Sequence, residues 1–217
     1  TYICIICYFL NLELLLFLAA LGIKKMFLKQ YNELRRVGKR LSEEIPETYG
    51  LKESLPEIIR VLGIGQGKQL ILENEEEINF MIDFYLHEFL SNGRTMLERY
   101  RADRSDLKPM EITYLDAAKN SYTSLFKVTD VNPTESSLTV IDLLSSSDQP
   151  LSVINVNLSK TGKPGYVIFS RLLPNGQFNC FSGMYAVFNE GNDRVLLKRY
   201  KVMKRRIKSD RESVQRF

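Results

Sequence analysis

The chain has 217 residues, of which 44% are hydrophobic, 11% aromatic and 26% charged. This length and composition suit one good hydrophobic core or two small ones, and they exclude a disordered or low-complexity protein. Three cysteines give neither an even disulfide framework nor a four-cysteine metal site, so we expect a cytoplasmic protein rather than a secreted one.

Charge is distributed unevenly along the sequence. The formal net charge is +4, but residues 191–217 hold ten lysines and arginines against three carboxylates, a net charge of +7 that leaves −3 for everything before them. Such a basic segment could meet phosphate backbones or an anionic membrane surface.

Residues 1–25 form an apolar leader that is open to three interpretations. The run 2–23 is long enough to cross a bilayer as a membrane anchor, and the cations after it would hold residues 24–217 on the cytoplasmic side. Met26 opens a sequence typical of a soluble amphipathic helix, so the leader could instead be translated upstream sequence or a truncated leader. A buried or interfacial helix is the third interpretation.

Helices are expected over residues 26–108. Apolar residues recur at helical spacing in the first of them, which Pro46 and Gly50 should end. Ser54 opens a sequence of the capping-box form and predicts the start of a second, short helix.

A longer helix is expected after Asn74, because three glutamates follow it and acidic side chains favour the first turn of a helix. Asn92–Gly93 should kink or break that helix. The charged run 99–108 resembles a loop, and Pro109 suits the first position of one more helix that ends near Lys119.

A compact β region is predicted after these helices. Five runs rich in branched and aromatic residues lie between Tyr122 and Phe188, separated by turn sequences, and Asn175–Gly176 is the strongest hairpin signal among them. Gly183, inside the last run, indicates a bulge or a barrel corner.

The predicted fold class is therefore α+β. We expect N-terminal helices, a five-stranded antiparallel β meander that closes into a small SH3-like or OB-like barrel or a bent sheet, and a basic C-terminal helix. The predicted regions are the leader (1–25), a helical region (26–108), a β-barrel-like region (109–190) and a basic helix or tail (191–217).

The segment 115–188 contains the runs SYTSLFKV, TVIDLL, VIFSRLLPNGQF and FSGMYAVF. In these runs it resembles a β-rich domain of uncharacterised bacterial proteins, some of which carry an SEC-C zinc-binding tail. Such a tail needs clustered cysteines and histidines, and the sequence has neither after Cys180. The resemblance therefore implies no zinc site and no activity for this chain.

The motifs that suggest catalysis or cofactor binding are incomplete. The glycine-rich stretch 63–68 lacks the residues that a Walker loop or a dinucleotide turn requires, so we interpret it as a connection between helices. His87 begins a zinc-protease motif whose second histidine is replaced by Ser91, and it is expected to be a partly buried, hydrogen-bonded residue. Cys180 is expected to be a small core residue.

No catalytic, cofactor-binding or metal-binding residue is predicted. Six basic residues recur near the spacing of a helical turn and are the candidate contacts to an anion or nucleic acid: Arg194, Lys198, Lys201, Lys204, Arg205 and Lys208. The competing interpretation is a solvated helix face that complements the acidic helix at 75–98.

The function predicted from these observations is a non-enzymatic intracellular binding or interaction module, with a protein partner that the sequence does not identify. The alternative is a nucleic-acid-binding protein that uses the barrel surface and the basic C-terminal helix. An enzyme is the least favoured class, because the usual acid–base and metal constellations are not visible in the sequence.

Overall fold

The computed structural model describes the backbone of residues 2–66, 69–70 and 75–209, and the side chains of residues 25–64, 76–202 and 204. The helices are α1 (Tyr2–Thr48), α2 (Leu51–Leu62), α3 (Glu75–His87), α4 (Met96–Asp103), α5 (Pro109–Lys119), α6 (Leu158–Thr161) and α7 (Asp193–Ser209). The strands are β1 (Gly65–Gln66), β2 (Gln69–Leu70), β3 (Leu90–Ser91), β4 (Arg94–Thr95), β5 (Tyr122–Asn132), β6 (Ser137–Asp142), β7 (Pro150–Ile154), β8 (Val167–Pro174) and β9 (Asn179–Phe188).

Helix α1 is the longest element and packs through one apolar face. Its buried residues recur at helical spacing: Tyr31, Leu34, Leu41 and Ile45. Pro46 does not end the helix as expected, since it lies in the last turn and the helix continues to Thr48. Gly50, with a φ of 70°, then reverses the chain into α2.

The side chains of the predicted leader lie outside the described residues, apart from Lys25, and its backbone is helical from Tyr2 onward. The three interpretations of this segment therefore stay predictions. Within the part of the chain whose side chains are described, no helix is long and apolar enough to cross a membrane.

The predicted cap at Ser54 is wrong. Helix α2 already begins at Leu51, directly after the left-handed Gly50, so Ser54 lies inside the helix. The capping box belongs instead to α4, where the Glu98 backbone nitrogen donates to Thr95 Oγ1 over 3.2 Å and the Thr95 nitrogen donates to Glu98 Oε2 over 2.9 Å. Asn74, the other predicted cap, lies outside the described residues.

Two predicted helix boundaries are confirmed. Helix α3 ends at His87, and a short β3–β4 hairpin follows that turns at Asn92 and Gly93, whose φ angles are 54° and 77°. Helix α5 begins at Pro109, which occupies the first helical position as expected. Helices α3 and α5 pack on β9 and β8. The single helix expected at 75–98 is thus divided, and α4 occupies the first half of the run 99–108 that was expected to be a loop.

The five long strands form a mixed sheet rather than the predicted antiparallel meander, and the predicted closure into a small SH3-like or OB-like barrel is not confirmed. Strand β5 pairs antiparallel with both β6 and β8, β6 pairs with β7, and β8 pairs with β9. Strands β7 and β9 also pair with each other, in parallel and at two positions: Val153 with Asn179 and Ile154 with Cys180. The expected third strand is also shorter, because α6 begins at Leu158.

Strand β9 bulges opposite one residue of β8. Ser170 pairs with Tyr185 and Leu172 pairs with Phe181, so the single residue Arg171 faces three residues of β9, with Gly183 in their centre at a φ of 113°. The predicted bulge at Gly183 is confirmed. A bulge of this kind redirects the side chains around it.

Two apolar clusters hold the fold together. One lies among the helices and reaches Leu173 and Cys180 of the sheet. The other is enclosed by the strands and centres on Phe126 and Phe181, whose ring centroids are 5.4 Å apart. The bulge in β9 lies on the side of the sheet where α1 and α3 pack. Polar side chains of α3, β8 and β9 meet there.

Candidate functional site

A buried group of polar side chains connects α3 to the bulged part of the sheet. We call it the polar cluster, and it consists of Asp83, His87, Glu88, Ser121, Arg171 and Ser182. Its centre is Arg171, whose side chain is only 3% exposed and whose Nε donates to Asp83 Oδ2 over 2.8 Å. Arg171 Nη2 donates to Glu88 Oε1 over 2.7 Å, which extends the pairing to the surface.

Asp83 is held by both strands of the bulged pair. Its Oδ2 accepts from Arg171, and its Oδ1 accepts from Ser182 Oγ over 3.1 Å. Burial raises the pKa of the Asp83 carboxyl, and the charge of Arg171 and these hydrogen bonds act in the opposite direction. Because each partner satisfies the other, α3 is fixed to β8 and β9 by charge-assisted hydrogen bonds.

His87 lies one helical turn after Asp83, with its side chain 3% exposed. Its Nδ1 is 3.4 Å from Ser121 Oγ and its Nε2 is 4.0 Å from Asp83 Oδ1. Burial, followed by the nearby charge of Arg171, sets the pKa of His87 well below its usual value, so the ring is neutral at pH 7. The sequence predicted a partly buried, hydrogen-bonded histidine; the hydrogen bond is present, and the side chain is more deeply buried than expected.

A cleft lies between α1, α3 and the bulge of β9, on one side of the polar cluster. We call it the α1–α3 cleft; its volume is about 420 Å³. Its polar lining residues come from all three elements and include Arg35, Lys39, Ser42, Asn79 and Ser182.

Arg35 is the residue that the bulge positions in this cleft. It is half-buried, and its Nη1 donates to the backbone oxygen of Ser182. Gly183 makes this approach possible, because a Cβ atom at that position would overlap the guanidinium of Arg35. The glycine and its positive φ thus allow a cation from α1 to lie against the sheet.

The two cations of the α1–α3 cleft, Arg35 and Lys39, differ from the neighbouring Arg40 in their ion pairs. Arg40, on the same helix, forms ion pairs with Glu44 and Glu111. Among the described residues, Arg35 and Lys39 form no ion pair with a carboxylate. Two carboxylates also line the cleft, Glu43 and the Asp83 that is paired with Arg171. The two cations outnumber the one carboxylate that has no ion pair, and they keep unused donors, an arrangement that favours a bound anion.

A second cleft, of about 610 Å³, lies on the other side of the polar cluster and is bordered by α4 and α5. Two of its cations are already paired, Arg101 with Asp116 and Arg171 with Glu88, and the third, Lys119, is exposed rather than half-buried like Arg35. The contrast singles out the α1–α3 cleft as the candidate site.

The structure places the predicted anion contacts elsewhere. Arg194, Lys198, Lys201 and Lys204 are exposed on α7, while the side chains of Arg205 and Lys208 lie outside the described residues. None of the four described cations borders either cleft. Contact of these α7 cations with an anion or nucleic acid stays a prediction.

The other residues that the sequence singled out have structural positions. Cys180 is buried in the core, as expected, and burial raises the pKa of its thiol to about 12. The stretch 63–68 lies between α2 and α3, as expected of a connection between helices, and within it Gly65–Gln66 forms β1, which pairs with β2. Residues 67–68 lie outside the described residues. Among the described residues, no group of three or more histidine, cysteine or carboxylate side chains could hold a metal ion.

Sequence reasoning missed Arg35, Asp83 and Arg171. Arg35 reads as one member of the basic face of α1, and only its contact with the bulge distinguishes it from Arg36. Arg171 carries a visible signal, since a cation inside the apolar run VIFSRLLP must find a partner if that strand is buried.

Acid should destabilise the protein through His87. The folded chain holds the histidine neutral, whereas the unfolded chain protonates it near pH 6.5. The free energy of unfolding should therefore fall as the pH drops below about 6.5, by at most ~1.4 kcal/mol per pH unit, and stay constant above it. Urea unfolding at several pH values measures this slope.

The matched control for this slope is His87→Gln, which keeps a polar side chain that cannot titrate. Asp83, whose pKa is raised, contributes a slope of the opposite sign in both proteins, so the difference between wild type and variant isolates the histidine. Equal slopes for the two proteins between pH 5 and 7 would contradict the expectation.

No curated protein and no solved structure matches the chain. One family model matches residues 26–217, which include every residue of the two clefts and of the polar cluster. The match gives no support to the SEC-C relationship that residues 115–188 suggested, but it agrees with an uncharacterised family. The chain therefore belongs to DUF7986, a family of unknown function.

Proposed function

We propose that the protein is a non-enzymatic intracellular binding module whose α1–α3 cleft binds an oxyanion, the carboxylate or phosphate group of a protein partner or a small ligand. The observation that carries this proposal is the half-buried guanidinium of Arg35, which is positioned by the bulge and has no carboxylate partner among the described residues. The unpaired, buried thiol of Cys180 suits a reducing compartment.

The geometry of Arg35 explains why an oxyanion fits. Arginine has five N–H donors in a planar fork, and Ser182 accepts from Nη1, which leaves the remaining donors free for two parallel hydrogen bonds. Lys39 lies one helical turn further along α1 and adds a second positive charge. Asn79 can donate a further hydrogen bond from its amide to a planar or tetrahedral anion.

The polar cluster supports a binding role over catalysis. Ser121 donates its hydroxyl hydrogen to the Ala118 backbone oxygen over 2.6 Å, a shorter contact than the 3.4 Å to His87 Nδ1. At 4.0 Å, His87 Nε2 is beyond hydrogen-bond distance of Asp83. The described contacts of Ser121 do not activate it as a nucleophile, and the hydrogen bonds of the cluster attach α3 to the bulged strands.

Nucleic-acid binding through α7 and the sheet surface remains the alternative. It is less favoured because base stacking needs an available aromatic face, and the half-buried Tyr200 already has Lys204 Nζ 5.5 Å from its ring centroid. Phosphate contacts by α7 alone would give binding without sequence preference and with a strong dependence on salt.

Replacing Arg35 by glutamine should weaken anion binding about tenfold or more, because a charge-assisted hydrogen bond to a bound anion is lost. NMR titrations of the full chain with inorganic pyrophosphate and with a triaspartate peptide measure binding and separate phosphate from carboxylate recognition. Arg36→Gln is the matched control: it removes the same charge from the next, exposed position of α1. Equal weakening in both variants, or no saturable shift in the wild type, would overturn the proposal.

A second pair of variants tests position rather than charge. Gly183→Ala keeps every charge but places a Cβ atom into the Arg35 guanidinium, so it should weaken binding as Arg35→Gln does. Gly176→Ala introduces the same kind of strain at a φ of 82°, where no atom lies within 4 Å, and should leave binding unchanged.

A further inference from the structure

Helix α7 carries a surface that the α1–α3 cleft does not use. It follows the turn at Asn189–Asn192, and its first residue, Asp193, accepts from Lys127 Nζ over 2.9 Å. This ion pair attaches the beginning of α7 to strand β5, and no other ion pair of the described residues joins α7 to the rest of the protein. The cations that follow on the helix are exposed: Arg194, Lys198, Arg199, Lys201 and Lys204.

One face of α7 combines exposed aliphatic and cationic residues. Val195 and Val202 are 51% and 42% exposed, and Lys198 and Arg199 lie between them. These four residues have the spacing i, i+3, i+4 and i+7, so they share one side of the helix, which we call the outer face. Leu196, Leu197 and Tyr200 on the remaining surface are half-buried.

From this pattern we propose that the outer face of α7 lies against an anionic lipid surface. Two exposed valines one turn on either side of two cations suit the boundary between headgroups and acyl chains: the valines enter the apolar layer, and the long stems of Lys198 and Arg199 let their charges stay among the lipid phosphates. The exposed cations Arg194 and Lys201, beside this face, add Coulomb attraction to an anionic leaflet.

Lipid fits this face better than nucleic acid does. A phosphate backbone would bind the cations, but Val195 and Val202 would add no favourable contact, because they would stay exposed or lie against sugars. A bilayer surface interacts favourably with both kinds of side chain, because the aliphatic groups leave water while the cations contact anionic headgroups.

The test is sedimentation of the full chain with vesicles of phosphatidylcholine alone and with 30% phosphatidylserine added. We expect binding to the anionic vesicles only, weakening with added salt. Lys198→Gln combined with Arg199→Gln should weaken it about 25-fold, roughly fivefold for each cation. Lys160→Gln combined with Lys163→Gln removes the same charge from exposed positions outside α7 and should leave binding unchanged.

The valines provide the second readout. Val195→Ser combined with Val202→Ser keeps every charge, and it should weaken binding to the anionic vesicles because the aliphatic contribution is lost. Equal binding of wild type and either α7 variant would overturn the proposal. So would a wild type that ignores anionic vesicles but binds a single-stranded RNA oligonucleotide, with the cation variant losing that binding, since α7 would then be a nucleic-acid surface.

Discussion

Replacing Arg171 by methionine is expected to lower the free energy of unfolding by about 3–5 kcal/mol, the usual cost of leaving a buried charge without its partner. Methionine fills most of the arginine's volume, so the loss reports the charge rather than a cavity. Asp83 would keep only its hydrogen bond from Ser182, although its side chain is 7% exposed. Urea unfolding followed by circular dichroism measures the change.

Two controls separate a buried pair from an ordinary ion pair. Arg171→Met combined with Asp83→Leu removes both charges, and it should recover most of the stability, because a buried pair contributes little over apolar residues of similar size. Arg101→Met breaks an ion pair with Asp116 in which both side chains are largely exposed, and should cost about 1 kcal/mol or less. An Arg171→Met loss no larger than that of Arg101→Met would contradict the burial argument.

Local signals in the sequence predicted those parts of the fold that local chemistry decides. Asn175–Gly176 turns between β8 and β9, with Asn175 Oδ1 accepting from the backbone nitrogens of Gln177 and Phe178. Pro109 starts α5, and Asn92–Gly93 forms the turn of the β3–β4 hairpin that separates α3 from α4. In each case two or three neighbouring residues determine the backbone, so their identity is sufficient.

Strand order was beyond the reach of the same reasoning. The alternation in β7 and β9 predicts two strands but does not say that they pair with each other in parallel. Strand β7 reaches β9 because α6 replaces the second half of the expected third run and leads the chain into β8 first. The predicted cap at Ser54 was wrong because α2 begins three residues earlier. Gly50, in the left-handed conformation, already starts the helix, so the cap sequence at Ser54 is not used.

The candidate site depends on contacts between residues far apart in sequence. Arg35 meets the backbone of Ser182 across 147 positions, and Arg171 meets Asp83 across 88. Gly183 correctly indicated a bulge, but the sequence does not show that Arg35 is the side chain that lies against it. The basic residues of α7 were visible because they are close together in sequence, which is also why they attracted the first functional hypothesis.

Phe126→Ala should cost about 3–5 kcal/mol of unfolding free energy, as large-to-small changes in well-packed cores do. The Phe126 ring is completely buried among the strands and packs on Phe181 and Tyr122. Thermal and urea unfolding measure the loss, and Tyr122→Ala, at a position that is 40% exposed, is the milder comparison. A cost for Phe126→Ala no greater than that for Tyr122→Ala would contradict this packing argument.

The same variant also tests how the scaffold relates to the site. Phe126 belongs to the cluster enclosed by the strands, whereas Arg35 and Gly183 meet on the side where the helices pack. If the bulge in β9 is held by the Asp83–Arg171 pair rather than by the strand-enclosed cluster, Phe126→Ala should lower stability while the folded protein still binds pyrophosphate or the triaspartate peptide with the affinity of the wild type. Arg171→Met should lower stability by a similar amount but also weaken anion binding in the folded protein, because the bulge that positions Arg35 would then be attached to Asp83 of α3 only through Ser182.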